Sequence, residues 1–344
     1  MRLNPFFLRT CCILLLTLSA TAQASRTQVV GWIPPYGVEK SMQALQENPH
    51  VAAGLTRVGL QFWNPSTDGK GLVFAPVHEN GKLLQAEEVK RVIAWLKARK
   101  IQVLLTVYNN SQVRNHWDWE WAKRAFRDHP REFSAALIAT MQQYGLDGID
   151  LDLEGEGDFE ADRAAYAQFV KNLSAQLKAQ KKLLTIDSFH SPCANAPNMS
   201  WWSDWRGQVD AIHSMGYQDL YEGSTASFTP DGKSVCEGGA PIFKYSWQLA
   251  YGKKAGYRAD QIVMGVPTWM ANWGKGGLGS SISAHLQEAK KLGVGIALWD
   301  LQLGAPEWRS AQIWTEIQQL RDGKGEAQAQ TTSQAKLELK AAKP

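Results

Sequence analysis

The sequence predicts an α/β protein folded as a parallel (β/α)8 barrel, the TIM-barrel architecture, and three observations lead to this fold class. Eight short runs of β-branched and apolar residues, each bounded by turn residues, recur along the chain. Amphipathic helical stripes separate most of these runs, as expected for strands that alternate with helices. The region that contains them, from Ser25 to Arg321, is long enough for one such barrel, which typically has about 250 residues.

Each predicted strand is a short apolar run, and most connections carry a helical stripe. In order, the strands are Gln28–Ile33, Thr56–Phe62, Gln102–Val107, Leu146–Leu153, Leu183–Asp187, Val209–Met215, Gln261–Pro267 and Val294–Trp299. Four stripes have apolar residues at helical spacing. They are Val89, Val92, Ile93 and Leu96; Phe133, Leu137, Met141 and Tyr144; Phe169, Val170, Leu173 and Leu177; and Ile313, Trp314, Ile317 and Leu320.

The two ends of the chain differ from the predicted barrel. Arg2 and Arg9 precede an apolar run, Cys11–Leu18, and Ala22-Gln23-Ala24 then supplies a small-x-small cleavage pattern. We therefore predict a signal peptide over residues 1–24; an uncleaved N-terminal anchor is the alternative. Residues 25–321 form the barrel, and residues 322–344, rich in Gly, Ala, Gln, Thr and Lys, are predicted to be a disordered tail.

Composition and charge exclude several classes of protein. With 44% hydrophobic and 20% charged residues, the chain does not have the composition of a disordered or fibrous protein. The formal net charge of +4 is too small and too evenly spread to predict a nucleic-acid-binding face. The chain has 15 tryptophans, more than core packing requires, and we interpret this surplus as a sign of sugar binding.

The segment from Asp147 to Gly155 is the most informative in the chain. Side chains alternate between the two faces of a strand, so Asp150, Asp152 and Glu154 share a face with Gly148. The intervening apolar residues pack against helices, and the carboxyl groups point into the barrel at steps of about 6.6 Å. A calcium loop is the structural alternative, but Ala161 stands where its bidentate carboxylate is required.

Three stepped carboxyl groups are suited to handling protons. Closely spaced carboxyl groups cannot all ionise, so their titrations are coupled and at least one stays protonated near neutral pH. Glu154 lies at the C-terminal rim, where active sites of such barrels are found. A protonated carboxyl group that faces a sugar cleft can cleave a glycosidic bond as a general acid.

This Asp-x-x-Asp-x-Asp-x-Glu segment, on the fourth predicted strand, resembles the signature of glycoside hydrolase family 18, which includes chitinases and endo-β-N-acetylglucosaminidases. The resemblance implies that Glu154 protonates the leaving oxygen and that Asp152 orients the substrate's 2-acetamido group, the nucleophile. Asp150 would hold or share a proton with Asp152, deeper in the barrel. Two further matches extend the resemblance. The tyrosine of Met215-Gly216-Tyr217 would hydrogen-bond to the acetamido carbonyl, and Trp299 would form the floor of the sugar subsite.

The chain also departs from the family pattern. Gln218 follows Tyr217 where many members have Asp, and Thr106-Val107-Tyr108-Asn109 stands where chitinases often have Ser-x-Gly-Gly. Pro267 and Val294 are too close in sequence for the small domain that many chitinases insert there, so we expect no insertion domain and an open cleft. The predicted substrate-binding residues are Trp299, Trp32, Trp63, Trp269 and Gln218.

The cysteines and histidines bear on disulfide and metal sites. Cys193 and Cys236 are the cysteines left outside the predicted signal peptide, and in an oxidising compartment they are candidates for one disulfide. Two free thiols are the alternative. The seven histidines show no ligand spacing, so no metal and no cofactor are predicted.

Taken together, these features predict an exported, retaining glycosidase that cleaves glycans of β-linked N-acetylglucosamine through substrate-assisted catalysis. Chitin-type oligomers are the first choice of substrate, with peptidoglycan or the N-glycan core as alternatives. A non-catalytic chitinase-like lectin is the alternative of another class, although lectin-like relatives typically lack the terminal glutamate. We expect a monomer, secreted or periplasmic, without a transmembrane segment and without a nucleic-acid partner.

Overall fold

The computed structural model describes residues 27–74, 78–79, 82–110, 116–192, 195–217, 245–269 and 278–323. All eight predicted strands are present, at bounds within a few residues of those expected. In chain order, the strands are β1 (Val29–Ile33), β2 (Arg57–Pro65), β3 (Leu72–Phe74), β4 (His78–Glu79), β5 (Lys82–Leu83), β6 (Gln102–Tyr108), β7 (Gly148–Asp152), β8 (Leu183–Ser188), β9 (Ala211–Ser214), β10 (Ile262–Pro267) and β11 (Gly295–Trp299).

Eight of these strands close into a parallel barrel. The order around the barrel is β1-β11-β10-β9-β8-β7-β6-β2, and β1 also pairs with β2, which joins the two ends of the sheet. Every pairing between barrel strands is parallel. The (β/α)8 fold class is therefore confirmed, and the described residues between β10 and β11 form a helix rather than an inserted domain.

Helices surround the barrel. They are α1 (Val38–Glu47), α2 (Pro49–Gly54), α3 (Ala86–Ala98), α4 (Trp119–Lys123), α5 (Pro130–Gln143), α6 (Arg163–Ala179), α7 (Tyr245–Ala255), α8 (Leu278–Leu292) and α9 (Ala311–Arg321). Some start at a capping side chain; for example, the side chain of Asp118 caps α4 by accepting a hydrogen bond from the backbone N–H of Trp121. Across the described ranges, no helix combines the length and apolar character that crossing a bilayer requires.

The connection from β2 to α3 is more elaborate than the sequence pattern indicates. Strand β3 turns back to pair antiparallel with β2, and β4 pairs with β5 in a separate two-stranded sheet. These strands have two or three residues each, too few for alternation to be recognised in the sequence.

The barrel strands have two buried faces, which we call the outer layer and the lumen. The outer layer, between strands and helices, is one continuous apolar cluster to which β7 contributes Ile149 and Leu151. All four predicted helical stripes pack into it. In the lumen a smaller apolar cluster contains Val30, Trp32 and Ala211, together with Val263 and Ala297. Polar side chains at other lumen positions form the site.

Candidate active site

The acidic row lies in the lumen with its last carboxyl group toward the C-terminal rim. Asp150 is 0% exposed, Asp152 3% and Glu154 8%. Asp152 and Glu154 line a cavity of about 230 Å³ at the C-terminal end of the barrel. The other residues that line this cavity are Gln61, Trp117, Asp187, Phe189, Met215, Tyr217 and Trp299. The structure thus brings four of the predicted site residues to one cavity, and Asp150 lies beneath them.

Asp150 is surrounded by hydrogen-bond donors. Its Oδ2 accepts hydrogen bonds from Trp32 Nε1 at 2.8 Å and from Thr106 Oγ1 at 3.0 Å. Its Oδ1 accepts one from Thr185 Oγ1 and lies 3.2 Å from His213 Nδ1. Burial alone raises the pKa of Asp150, but the interaction with His213 and these hydrogen bonds outweigh it and lower the pKa to about 2. Asp150 is therefore ionised at neutral pH, which differs from the expectation that it holds or shares a proton with Asp152.

Asp152 and Glu154 are hydrogen-bonded to each other. Gln61 Nε2 donates a further hydrogen bond, of 2.6 Å, to Asp152 Oδ2. Burial and the nearby charge of Asp150 raise the pKa of Asp152 to about 7, against the lowering effect of its hydrogen bonds. Burial and the charge of Asp152 raise the pKa of Glu154 well above its ordinary value. The pair therefore holds a proton at neutral pH, as a general acid requires.

The backbone of Glu154 is held by one side chain. Asn109, just after β6, accepts a hydrogen bond from the Glu154 backbone N–H at 2.7 Å and donates one to its carbonyl at 2.7 Å. Asn109 is fully buried and also donates to the backbone carbonyl of Asp118 at 3.0 Å. These contacts fix the main chain from which the Glu154 carboxyl group projects.

Three aromatic rings lie close together beside the acidic row. The rings of Tyr217 and Trp299 have centroids 6.4 Å apart, and Trp32 lies 6.4 Å from Tyr217 and 6.1 Å from Trp299. Burial raises the pKa of Tyr217 well above its ordinary value, as do the charges of Asp187 and the acidic row. The Tyr217 hydroxyl therefore stays protonated and able to donate a hydrogen bond into the cavity.

Trp32 and Trp63, two of the predicted substrate-binding tryptophans, do not line the cavity. Trp32 is 1% exposed and directs its N–H at Asp150, so it supports the acidic row instead of contacting a sugar. Trp63 packs in the outer layer, with its ring 5.4 Å from that of Tyr144. The alternation on β2 is interrupted by a register shift between Leu60 and Trp63, and this irregularity places both Phe62 and Trp63 in the outer layer.

Of the remaining predicted residues, Trp269 does not line the cavity, and three others fall outside the described residues. Trp269 is 37% exposed and hydrogen-bonds to Asp300, whose carboxyl group follows β11. The predicted contact Gln218 and the predicted disulfide partners Cys193 and Cys236 fall outside the described residues.

Six side chains that contact the acidic row or the Glu154 backbone escaped the sequence prediction. They are Gln61, Thr106, Asn109, Thr185, Asp187 and His213. All of them except Asn109 lie on barrel strands with their side chains in the lumen. The alternation that revealed Asp150 and Asp152 could have pointed to Thr185 and Asp187, which are two residues apart on β8.

One group in the described part of the chain is compact enough to suggest a metal site. Asp150, Asp187 and His213 have possible ligand atoms within 4.8 Å of one another. However, Asp150 already accepts hydrogen bonds on both oxygens, and His213 Nδ1 lies 2.9 Å from Asp187 Oδ1, a hydrogen-bond distance. We therefore interpret the group as a hydrogen-bonded network.

Comparisons with known proteins agree with this geometry. The family described as Glycosyl hydrolases family 18 matches residues 29–336. A chitinase from Chromobacterium violaceum ATCC 12472 is similar at 16% identity and a TM-score of 0.62, over 86% of this chain and 98% of that one. A class V chitininase from Pseudomonas fluorescens Pf-5 is similar at 18% identity and a TM-score of 0.61, over 86% and 99%.

A spore cortex-lytic enzyme from Bacillus megaterium QM B1551 shares the fold as well, at 15% identity and a TM-score of 0.60, over 86% of this chain and 75% of that one. No curated protein matches the chain. At identities of 15–18%, the solved structures show a shared fold only. The family match is the stronger finding, because it extends along the whole barrel.

Proposed function

Since the chain belongs to glycosyl hydrolases family 18 and is a glycosidase, we propose that it is an exported, retaining enzyme that cleaves β-linked N-acetylglucosamine glycans by substrate-assisted catalysis. The observation that carries this proposal is the hydrogen-bonded Asp152–Glu154 pair on the floor of an aromatic-lined cavity. One carboxyl group of the pair is protonated and faces the space where a sugar would lie.

The spacing of the pair argues against an enzyme nucleophile. In glycosidases that use two carboxyl groups on opposite sides of the scissile bond, these groups are about 5–5.5 Å apart in retaining enzymes and about 6.5–9.5 Å apart in inverting ones. Asp152 and Glu154 are in hydrogen-bond contact and project from the same strand face, so they cannot flank a bond. This spacing supports a nucleophile that the substrate supplies, and a 2-acetamido group is suitably placed on such a sugar.

The proposed reaction has two steps. In the first, the Glu154 carboxyl group gives its proton to the glycosidic oxygen, the C1–O bond breaks, and the acetamido carbonyl oxygen forms a bond to C1. Asp152 accepts a hydrogen bond from the acetamido N–H and stabilises the positive oxazolinium ring, and Tyr217 donates to the acetamido oxygen. In the second, the Glu154 carboxylate takes a proton from water, whose oxygen attacks C1 and releases the acetamido group. Configuration at C1 is retained.

The lining of the cavity supports an uncharged sugar as ligand. Trp299 is partly exposed and offers a flat apolar ring to a pyranose face, while Gln61 and Tyr217 supply polar groups. We place chitin-type oligomers first among the substrates. The fold shared with a spore cortex-lytic enzyme keeps peptidoglycan as the second candidate.

The test compares wild type with Glu154→Gln on chitin oligomers, peptidoglycan and a high-mannose glycopeptide. General acids contribute about 10²–10⁴-fold to rate, and we expect a loss of that size on the substrate that wild type cleaves. Glu132→Gln, the same chemical change at an exposed glutamate on α5, is the matched control and should retain activity.

Each outcome separates the hypotheses. An unchanged rate in Glu154→Gln would refute the mechanism. Binding without cleavage by wild type would favour the lectin alternative. Cleavage of an oligomer without 2-acetamido groups at an equal rate would refute acetamido participation.

Export is proposed from the N-terminal pattern of Arg2, Arg9 and Ala22-Gln23-Ala24. We expect the exported protein to begin at Ser25, and N-terminal sequencing of the protein from periplasm and medium checks this. An intact Met1 in both fractions would refute cleavage.

Cys193 and Cys236 are proposed to form a disulfide in the exported protein. We expect a peptide map without reductant to contain one cross-linked peptide that disappears on reduction. Identical maps in both conditions would refute the bond.

A further inference from the structure

His213 lies on β9, beneath the acidic row, and its side chain is fully buried in the lumen. Its Nδ1 is 2.9 Å from Asp187 Oδ1 and 3.2 Å from Asp150 Oδ1. The other ring nitrogen, Nε2, is buried without a hydrogen-bond partner among the described residues. Within the described part of the chain, the polar contacts of the ring are thus directed at these two carboxyl groups.

The hydrogen bonds around His213 indicate which of its two neighbours, Asp150 or Asp187, carries the negative charge. Trp32 Nε1 can only donate, and Thr106 and Thr185 donate as well, so Asp150 meets donors on both oxygens, with His213 Nδ1 a further 3.2 Å neighbour. A proton on Asp150 would have to displace one of them. Burial, followed by the charge of Asp150, raises the pKa of Asp187 well above its ordinary value. Of the two carboxyl groups, Asp150 is therefore the one that stays ionised.

A fixed negative charge at Asp150 affects the residues above it. Asp150 and Asp152 are neighbours on the lumen face of β7, and like charges disfavour the ionised form. A proton that enters the row is therefore held at Asp152 and Glu154, where the reaction uses it. Without the donors beneath, the proton could instead settle on Asp150.

We propose that His213 is a positioning residue of this glycosidase: by donating from Nδ1 it keeps Asp150 unprotonated, and Asp150 in turn keeps the exchangeable proton on the Asp152–Glu154 pair. The inference deepens the proposed function and rests on it for its catalytic part. Several titratable groups around His213 and Asp150 share the electrostatic environment. They are Asp187 on β8, Asp152 and Glu154 above, Tyr217 after β9, Tyr166 on α6, and Arg57 at the start of β2.

Two substitutions of His213 separate hydrogen bonding from packing. His213→Phe keeps a ring but removes the donor. In His213→Asn the amide nitrogen is attached to Cγ, as Nδ1 is in histidine, so a donor is restored without an imidazole. The matched control is His285→Asn, a change at a second buried histidine, on α8, whose ring faces Tyr245.

Kinetics provide the first readout. Loss of the donor raises the pKa of Asp150, so the row takes up a second proton at higher pH. We expect His213→Phe to lower kcat by about 10–10³-fold and to move the acid limb of its pH profile upward by about 1–3 pH units, with little change in KM. His213→Asn should recover most of kcat and of the profile, and His285→Asn should follow wild type. A His213→Phe profile that coincides with the wild-type profile would overturn the proposal.

Unfolding in urea provides a second readout that does not need a substrate. Asp150 has a depressed pKa in the folded state, so its stabilising contribution is present above the unfolded-state pKa of about 3.9 and is lost as the pH falls toward 2. The stability difference between His213→Asn and His213→Phe should therefore be large at pH 6 and shrink as the pH falls. Because both variants lack imidazole, this difference isolates the donor.

The two readouts separate failure of this inference from failure of the proposed function. If wild type cleaves none of the glycans but the pH-dependent stability difference is present, the proposed function fails and the assignment of His213 to Asp150 stands. If the difference is the same at every pH, as loss of packing alone would give, the assignment of His213 is overturned whatever the activity.

Discussion

Strand β7 contributes Ile149 and Leu151 to the outer layer, and Asp150 and Asp152 to the lumen. Both sets are buried, but their partners differ. The outer-layer side chains contact aliphatic and aromatic groups from helices, such as the stacked rings of Phe133 and Phe169, whose centroids are 5.6 Å apart. The lumen carboxyl groups contact hydrogen-bond donors and each other.

This difference separates stability from chemistry within a single strand. Apolar burial in the outer layer stabilises the fold in proportion to the area removed from water. Buried carboxyl groups in the lumen cost stability unless they are protonated or hydrogen-bonded, and that constraint is what shifts their pKa values. Substitutions in the outer layer should therefore change unfolding, and substitutions in the lumen should change turnover and its pH dependence.

The largest expected effect is in the outer layer. Phe133→Ala removes a fully buried ring from the stack with Phe169, and we expect it to lower the free energy of unfolding by about 3–5 kcal/mol. Urea unfolding measures this loss. The kcat of the folded fraction should equal that of wild type; a lower kcat would show that the two faces are not independent.

In the lumen, Asp152→Asn keeps the shape of the side chain but removes the carboxylate that would stabilise the oxazolinium ring. We expect kcat to fall by about 10²–10³-fold, with the free energy of unfolding at pH 7 unchanged or higher. Steady-state kinetics and urea unfolding test both parts. Asp158→Asn, at an exposed aspartate, is the control, and an equal loss of turnover in that variant would contradict a specific role for Asp152.

The lumen should also make stability depend on pH. The pKa of Asp152 is about 7 in the folded state, above its unfolded value, so the folded state keeps a proton that the unfolded state releases. The contribution of Asp152 to stability is then full below about pH 4 and falls by up to about 1.4 kcal/mol for each pH unit between pH 4 and 7. Asp300, whose burial raises its pKa to about 6, acts in the same direction.

Unfolding measured across this pH range tests the sign of that dependence. The slope should be smaller in Asp152→Asn and unchanged in Phe133→Ala. A stability of wild type that rises from pH 4 to pH 7 would contradict the raised pKa of Asp152.

The smallest expected effect is on glycan binding, and it distinguishes Trp269 from Trp63. Trp269 is partly exposed, and its loss in Trp269→Ala should weaken glycan binding by about 0.5–1.5 kcal/mol, seen as a higher KM with kcat retained. Trp63 is buried in the outer layer, so Trp63→Phe should leave KM unchanged. A raised KM in Trp63→Phe alone would reverse these assignments.

Local patterns were sufficient to predict the barrel and the direction of its acidic row. Alternation with a period of two is a property of each strand by itself, so Asp150 and Asp152 could be assigned to the lumen without knowing the neighbouring strands. Two features are not local. The irregularity on β2 that turns Trp63 outward depends on pairing with β6, and the contact between His213 and Asp150 depends on how β7, β8 and β9 are aligned.

Asn109 acts as a substitute for a strand residue. The ladder between β6 and β7 ends where Tyr108 pairs with Asp152, and the side-chain amide of Asn109 then offers Glu154 the same donor and acceptor that a backbone peptide group would. The sheet is thereby extended by one amide to reach the acid. The main chain is held again one residue later, where the N–H and carbonyl of Gly155 hydrogen-bond with the carbonyl and N–H of Ala196. The backbone that carries the proton donor therefore lies between two anchors on different elements, and loops that begin beyond Gly155 can differ without moving it.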